Sequence, residues 1–281
     1  MIVMAICNVC FRHCDIPEGG TGFCGGRICK DGTVQCGNYG KVTSLALDPI
    51  EKKPLRRFHP GSLIVSVGSY GCNLRCPFCQ NNSISWSEEA KKAADRAEYV
   101  SPEMLAETAY RYREHGNIGV AFTYNEPLIG YEYVRDTAKL VHERGMKNVM
   151  VTNGTASPEV LHELLPYIDA MNIDLKGFTD RYYTEVLGGD RNTVMDFIKE
   201  AVKDCHVELT TLIVPGENDS VEEMAELTEW VSEINPEIPL HISRFFPQFK
   251  MMDREATDVG HIYRLAQLAR EKLTYVYTGN C

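Results

Sequence analysis

The sequence has no long apolar run, no surplus of positive charge, and no repeated or low-complexity segment. No stretch approaches 18 consecutive apolar residues, so we predict no membrane span. Acidic side chains outnumber basic ones, 39 to 29, and the formal net charge of −10 argues against a nucleic-acid groove as the main working surface. The apolar start, Met1–Ile6, is too short for a secretory signal and lacks a basic segment, so we expect a cytoplasmic protein.

A pattern of alternating strands and helices fills most of the chain, residues 61–281. Short buried strands, beginning with residues 62–69, alternate with helices of ordinary length. Two of these helices have clear starts, at Ser101-Pro102 and at the capping box Ser220-x-x-Glu223. Such alternation predicts an α/β domain with a parallel sheet, either an open doubly wound sheet or a full or partial barrel.

The first 60 residues differ in composition and periodicity from the rest of the chain. They are rich in Cys and Gly and show no helical periodicity, and Asp31-Gly32 stands between two short runs as a hairpin signal. We therefore predict a small Cys-rich loop and hairpin module at residues 1–60. A module this poor in apolar core is expected to need a metal to hold it together.

The chain has 11 cysteines, many for a protein of a reducing compartment, where clustered cysteines more often bind metal than form disulfides. Four in the first module have the spacing C-x2-C-x3-C-x9-C, namely Cys7, Cys10, Cys14 and Cys24. Four thiolates suit tetrahedral zinc, and binding would supply folding energy. A second [4Fe–4S] cluster uses the same ligands, and unliganded thiols are the third alternative, so these residues form a candidate metal site of open identity.

The second cysteine group is the most specific feature of the sequence. Cys72, Cys76 and Cys79 follow the first long strand with the spacing C-x3-C-x2-C. Three thiolates can ligate three irons of a [4Fe–4S] cube and leave the fourth iron open. S-adenosylmethionine (SAM) can chelate an open iron through its amino and carboxylate groups. The alternatives are a zinc loop completed from elsewhere in the chain, or buried structural thiols.

Several segments resemble a known family. Residues 71–81 look like the cluster-binding loop of the radical SAM superfamily, and residues 48–55 and 60–62 resemble the radical SAM member of the AmmeMemoRadiSam gene system. Those proteins are similar to pyruvate formate-lyase activating enzyme, which places a radical on a glycine of a partner enzyme. The resemblance covers nearly the whole chain and implies a partial (β/α)6 TIM-type barrel, with SAM across the carboxyl ends of the strands.

The resemblance also assigns residues to SAM. Glu126 matches the glutamate of the family's Gly-Gly-Glu motif, which contacts the methionine amino group of SAM, and an acceptor-only carboxylate suits that task. Asn125 replaces a motif glycine here and offers a side-chain contact instead. Thr152 and Asn153, at the end of a predicted strand, become expected neighbours of the SAM ribose or carboxylate.

Asp174 and Lys176 form the last part of the expected site. They stand two residues apart at the end of a predicted strand, so both point to one face of the sheet. Lys176 is expected to pair with the SAM carboxylate, and Asp174 with Lys176 or with a cation. The alternative for this pair is a surface ion pair of little energetic value.

The predicted function is reductive cleavage of SAM to methionine and a 5′-deoxyadenosyl radical, which abstracts a hydrogen atom from a substrate. No side chain is assigned a catalytic role beyond holding the cofactors, since these carry the difficult chemistry. The resemblance suggests a glycyl radical protein as partner and a low-potential electron donor such as flavodoxin or ferredoxin. A small molecule or another side chain is the alternative substrate, and a non-catalytic iron–sulfur electron carrier is the alternative of another class.

Overall fold

The structure is a computed structural model that describes residues 4–85, 89–90, 92 and 96–281. Residues 1–3, the first half of the apolar start, lie outside the described residues. The strands, in chain order, are β1 Met4–Ile6, β2 Asp15–Pro17, β3 Arg27–Lys30, β4 Thr33–Cys36, β5 Lys41–Val42, β6 Ser44–Pro49, β7 Leu63–Gly68, β8 Glu98–Tyr99, β9 Asn117–Phe122, β10 Lys147–Thr152, β11 Ala170–Asp174, β12 His206–Ile213, β13 Leu240–Arg244 and β14 Val276–Gly279.

A sheet of eight strands forms the centre of the described chain, in the order β14-β13-β12-β11-β10-β9-β7-β6. The strands from β7 to β14 in this sheet run parallel, whereas β6 at the edge pairs antiparallel with β7. The parallel strands are buried along most of their length, as expected when helices cover the outer face. The predicted α/β fold of the partial-barrel type, preceded by a Cys-rich segment, is confirmed.

Helices connect the parallel strands. Ser101 and Ser220 cap two of them by accepting hydrogen bonds from the N–H groups of Met104 and Glu223, so both predicted helix starts are confirmed. The Glu223 carboxylate accepts the N–H of Phe178 at 2.5 Å. In the part of the chain that the structure describes, the α- and π-helices are Asn82–Ser85, Pro102–Arg111, Tyr131–Glu143, Pro158–Leu164, the π-helix Tyr182–Leu187, Arg191–Ala201, Val221–Ile234 and Val259–Ala269.

The amino-terminal segment consists of short antiparallel pairs. β3 and β4 form the predicted hairpin, and Asp31 and Gly32 both have positive φ, 53° and 70°, as a type I′ turn requires. β6 belongs to the central sheet although it lies within residues 1–60. The sheet therefore begins inside the predicted module, and a domain boundary at residue 60 stays a prediction.

The amino-terminal end of the barrel is closed by residues 50–58, which follow β6. The Leu55 side chain is fully buried there, and Asn172 on β11 donates a hydrogen bond to the Pro54 carbonyl at 2.9 Å. In the ranges that the structure describes, no helix is both long and apolar enough to cross a membrane. With one end of the barrel closed, the chemistry-bearing side chains are left to the opposite end.

Candidate active site

The predicted site residues meet at the carboxyl ends of the parallel strands. Cys72 follows the end of β7 by four residues, and Glu126 follows the end of β9 by four. Thr152 ends β10 and Asp174 ends β11. The carboxyl face of a barrel is where functional residues of this architecture collect, because the loops there converge on one opening.

The loop that carries the three cysteines is fixed by backbone contacts on two sides. The Cys72 N–H donates to the Cys24 carbonyl at 3.1 Å, and the Arg75 N–H donates to the Leu187 carbonyl at 2.7 Å. Gly71 has φ 90°, and a Cβ atom there would lie 2.5 Å from the Cys24 oxygen, so only glycine fits. The cysteine loop is therefore held between the amino-terminal segment and the π-helix.

Burial and two nearby N–H donors define the environment of Cys72 and Cys76. Two N–H donors approach Cys72 Sγ, the Leu74 backbone at 3.4 Å and the Asn153 side-chain amide at 3.7 Å. Burial raises the pKa of Cys72 well above its ordinary value and the pKa of Cys76 to about 11. Thiolates at these buried positions are costly unless positive charge is supplied, as a metal or an iron–sulfur cluster does.

The donor set fits a cluster with an open iron, although the thiols are not arranged around one point. Across residues 4–85, 89–90, 92 and 96–281, no three or more His, Cys, Asp or Glu side chains form a group ready to hold a metal ion. Ligation therefore requires rotation of the cysteine side chains. Three soft thiol donors on one short loop, with N–H groups directed at sulfur, match the ligand chemistry of a [4Fe–4S] cluster.

Glu126 lies buried beneath this loop, 3% exposed, with both carboxylate oxygens occupied. Oε1 accepts from the Leu128 N–H at 3.0 Å and the Thr152 hydroxyl at 2.7 Å, and Oε2 accepts from the Asn153 N–H at 2.8 Å. Burial raises the pKa of Glu126 to about 7 despite these donors. The carboxylate thus joins the ends of β9 and β10, and its contact with SAM stays a prediction.

Asn125 fastens the cysteine loop from the same side. Its amide donates to the carbonyls of Tyr70 and Gly71, both at 3.1 Å, and its Oδ1 accepts the Ser69 N–H at 2.8 Å. The side chain that replaces a motif glycine therefore holds the start of the loop. The predicted contact between Asn125 and SAM remains untested.

Asn153 connects the site to a residue that the sequence did not single out, Asn73. The Asn153 amide donates to Asn73 Oδ1 at 3.0 Å, and the Asn73 amide donates to the Thr155 hydroxyl at 2.7 Å. Arg12 also reaches this point, with its Nε donating to the Asn73 carbonyl at 2.7 Å. These contacts join residues far apart in sequence, so no local sequence pattern predicts them.

Asp174 and Lys176 form an ion pair at the end of β11, with Nζ 2.8 Å from Oδ2. Burial alone would lower the pKa of Lys176, but the charges of Asp174 and Cys76 outweigh it, so the pKa lies well above its ordinary value. The Lys176 N–H donates to the Tyr183 hydroxyl at 3.0 Å. A permanently charged lysine therefore lies close to the cysteine loop, as a site for an anionic group requires.

The four amino-terminal cysteines lie together beside the main site. Cys7, Cys10, Cys14 and Cys24 line one cavity of about 10 Å³. All 11 cysteines are free, and Cys29 and Cys36 of the hairpin face Val34 and Arg27 rather than each other. The four thiols are therefore neighbours in space, but among the described residues they do not form a group ready to hold a metal ion, and the predicted metal site stays a prediction.

Comparisons with known proteins agree with this geometry. A protein of unknown function from Methanocaldococcus jannaschii is 42% identical over 98% of this chain and 80% of its own length. Pyruvate formate-lyase-activating enzyme of Clostridium pasteurianum is 29% identical over 72% of this chain and 88% of its own. A solved domain of pyruvate-formate lyase-activating enzyme from Bacteroides vulgatus shares the fold, with a TM-score of 0.51 and 16% identity over 57% of this chain and 98% of that domain.

The family model for the radical SAM superfamily matches residues 66–228, more than half of the chain. The match includes the cysteine loop, Glu126, Asn153 and Lys176. Membership in this family implies a [4Fe–4S] cluster and SAM as cofactors. The chain therefore belongs to the radical SAM superfamily.

Proposed function

We propose that Cys72, Cys76 and Cys79 hold the [4Fe–4S] cluster of this radical SAM enzyme and that SAM binds between the cysteine loop and Lys176. The observation that carries the proposal is the convergence of three soft ligands, a buried carboxylate and a buried ammonium group at one end of the barrel. An electron carrier needs no such polar set around its cluster, so catalysis is the better interpretation.

Cys72, Cys76 and Cys79 would hold the cluster, which would supply the electron for reductive cleavage of SAM to methionine and a 5′-deoxyadenosyl radical, and this radical would abstract a hydrogen atom from the substrate. The chain's own residues orient the cofactors and exclude water. Lys176, positively charged beside Asp174, pairs with the SAM carboxylate. Thr152 and Asn153 hold the Glu126 carboxylate at the position where the SAM amino group is expected.

We infer that the substrate is a glycine in a partner protein, as in glycyl radical enzyme activation. The similarity to pyruvate formate-lyase-activating enzyme supports this choice. The loop after β13 also lies beside the cysteine loop, through a hydrogen bond from the Lys250 N–H to the Pro77 carbonyl at 2.9 Å, and exposes Phe246 and Met252. Apolar side chains at the barrel entrance suit a polypeptide more than a small polar molecule.

An anaerobic assay of the reconstituted full chain tests the chemistry. Dithionite replaces the low-potential donor, flavodoxin or ferredoxin in our prediction, and 5′-deoxyadenosine is measured by chromatography. Wild type and Cys205→Ala, a variant at a cysteine outside both groups, are expected to form product, whereas Cys76→Ala loses it. SAM that fails to bind reconstituted wild type would contradict the proposal.

The partner is tested by deuterium transfer. A candidate glycyl radical protein labelled at glycine with deuterium should yield deuterated 5′-deoxyadenosine. Label that appears only from a small molecule would favour the alternative substrate class.

We propose further that Cys7, Cys10, Cys14 and Cys24 bind a single zinc ion. Four thiols that line one cavity match the ligand number and the donor chemistry of a structural zinc site. Burial raises the pKa of Cys24 to about 11, so a thiolate at this position would need the positive charge of a metal. Since the Cys24 carbonyl accepts the Cys72 N–H, metal binding here would also steady the cysteine loop.

Metal analysis of the full chain distinguishes the alternatives. About one zinc per chain is expected in wild type and in Cys205→Ser, and none in Cys10→Ser. About four additional irons per chain, lost in Cys10→Ser, would instead indicate a second cluster. An unchanged metal content in Cys10→Ser would contradict both and favour free thiols.

A further inference from the structure

The residue just before Asn125 and Glu126 adopts a backbone conformation that is strained for its type. Tyr124 has φ 71°, the largest positive φ of the described residues other than glycine. The Asn125 N–H donates to the Thr123 carbonyl at 3.0 Å, so residues 123–125 form a γ-turn with positive φ at its centre. Such turns are rare, and a bulky aromatic residue at the centre is an outlier. Strain of this kind persists only where the surroundings hold it, and it collects at functional sites.

The side chain of Tyr124 is anchored to three other parts of the barrel. Its hydroxyl donates a hydrogen bond to Asp48 Oδ2 on β6 at 2.8 Å. Lys53, 3% exposed, donates to the same oxygen at 2.9 Å, and its Nζ lies 4.9 Å from the centre of the tyrosine ring. The ring also covers Gly68 at the end of β7, where an added Cβ atom would lie 2.8 Å from Cδ2. The tyrosine is therefore tied to β6, to β7 and to residues 50–58.

The backbone of the same turn contacts both ends of the cysteine loop, residues 71–81. At the start of the loop, the Gly71 carbonyl accepts the Glu126 N–H at 3.3 Å. At the end of the loop, the Asn81 side-chain amide donates to the Tyr124 carbonyl at 2.7 Å. A change in the turn would therefore change the position of the Glu126 carboxylate relative to the cysteine loop.

We propose that Tyr124 is a positioning residue for SAM, because its side chain, bound to Asp48, holds the strained γ-turn and so sets Glu126 against the cysteine loop. The assignment rests on the proposed function, since it requires the cluster in the cysteine loop and the SAM amino group beside Glu126. Glycine at position 124 would relieve the strain but would leave the turn without its anchor. The anchored side chain, rather than tolerance of positive φ, is therefore what this position contributes.

Tyr124→Phe removes the hydroxyl and keeps the ring, and its effect on the turn is measured in the cluster-free full chain. Amide hydrogen exchange at Asn125 and Glu126 should become faster by about tenfold, because the turn opens more often without its anchor. Tyr39→Phe is the matched control, since the Tyr39 hydroxyl likewise donates to a carboxylate, Asp136 Oδ2 at 2.8 Å. This variant should leave exchange at Asn125 and Glu126 unchanged.

SAM binding to the reconstituted full chain is the second measurement. At equal iron content, calorimetry should give a SAM Kd about tenfold higher in Tyr124→Phe than in wild type, and an unchanged Kd in Tyr39→Phe. Tyr124→Gly, which suits the positive φ, should also bind SAM more weakly. At saturating SAM, the coupling between the reduced cluster and a ¹⁵N label on the SAM amino group should change in both Tyr124 variants and stay as in wild type in Tyr39→Phe.

Unchanged hydrogen exchange in Tyr124→Phe would overturn the proposal, and so would unchanged SAM affinity and amino coupling in a variant with full iron content. A Tyr124→Gly chain that binds SAM as well as wild type would also overturn it, because only the backbone conformation would then matter. A wild type that takes up no cluster, or that binds no SAM, would instead contradict the proposed function. The exchange measurement on the cluster-free chain would still report whether the side chain holds the turn.

Discussion

At the scale of single residues, Glu126 shows how one buried carboxylate can organise the ends of two strands. Three donors hold it, from Leu128, Thr152 and Asn153, and burial keeps its pKa near 7. This arrangement fixes the ends of two strands relative to each other. These hydrogen bonds occupy acceptor sites on the carboxylate that we expected the SAM amino group to use. Each carboxylate oxygen still has further lone pairs that can accept a hydrogen bond.

The variant Glu126→Gln tests two roles of Glu126, holding the strand ends together and binding SAM, by separate measurements. The amide would direct an N–H at a neighbouring donor, so we expect the free energy of unfolding to fall by about 1–3 kcal/mol. If Glu126 also contacts the SAM amino group, the Kd for SAM should rise by about tenfold or more. Calorimetric titration of SAM into the anaerobic protein measures the second effect.

Thr152→Val is the matched control, since it removes one of the three donors and leaves the charge in place. It should lower stability by about 1 kcal/mol and raise the SAM Kd by less than Glu126→Gln does, because the carboxylate stays in place. Equal changes of SAM affinity in both variants would show that Glu126 acts only through the protein framework.

At the scale of elements, the π-helix Tyr182–Leu187 is the piece that joins the parts of the site. Its Leu187 carbonyl accepts from Arg75, and the Gly188 carbonyl, just beyond it, accepts from Arg12 of the amino-terminal segment. At its other end Tyr183 accepts the Lys176 N–H. The helix therefore contacts the cysteine loop, the amino-terminal segment and the end of β11.

Gly177→Ala tests whether the stability of the protein depends on the packing of the π-helix against Gly177. The added carbon would lie 2.6 Å from the Tyr182 ring and 3.0 Å from Glu223 Oε1, so one of them must move. We expect a loss of about 1–3 kcal/mol in the free energy of unfolding, measured by urea titration, as for other overpacked sites. The cluster content after reconstitution should fall as well, because Tyr182 and Tyr183 shift together.

Gly260→Ala serves as the comparison, because its added carbon meets the Asp258 carboxylate at 3.1 Å and helical backbone favours alanine. It should be neutral or stabilising by up to about 1 kcal/mol. A Gly177→Ala protein as stable as Gly260→Ala would show that the Tyr182 ring is not held by this contact.

The elements also show what the sequence could predict. Buried runs and Ser-Pro starts located the parallel strands and their helices to within a few residues, since both are local signals. The predicted strand ends also located Glu126, Asn153 and Lys176 at the same end of the sheet, because the end of a strand is a local signal too. The antiparallel edge strand β6 and the π-helix were missed, because the first depends on a long-range partner and the second has no periodic signal of its own. Contacts such as Arg12 with Asn73 join distant segments and lie beyond any local pattern.

At the scale of the whole molecule, the two ends of the barrel have separate tasks. The carboxyl end holds the site, and the amino-terminal end is sealed by residues 50–58. Glu208, fully buried on β12, binds residues 50–58 by accepting hydrogen bonds from the N–H groups of Arg56 at 3.0 Å and Arg57 at 2.7 Å. His206 and His241 contact the same carboxylate at 3.0 and 2.6 Å. A buried charge with four partners is stable only while all of them remain.

Because Glu208 is ionisable, its contacts make the free energy of unfolding depend on pH. Burial by itself would raise the pKa of Glu208, but the two imidazoles and two backbone donors outweigh it and lower the pKa to about 2. A carboxylate with a lowered pKa contributes stability that is fully present above its unfolded value, near 4.5, and that is lost as the pH falls toward 2. A shift of this size corresponds to about 3 kcal/mol.

Glu208→Gln should therefore lower the free energy of unfolding by about 3 kcal/mol at pH 7, and by clearly less at pH 3, where part of the wild-type contribution is already lost. Urea titrations at both pH values measure the difference. Glu229→Gln, at an exposed ion pair with Lys272, should cost less than about 1 kcal/mol at pH 7. If the Glu208→Gln deficit were equal at pH 7 and pH 3, the carboxylate charge would not be what holds residues 50–58 against the barrel. The closure would then depend on the packing of Leu55 and on neutral hydrogen bonds such as the one from Asn172 to the Pro54 carbonyl.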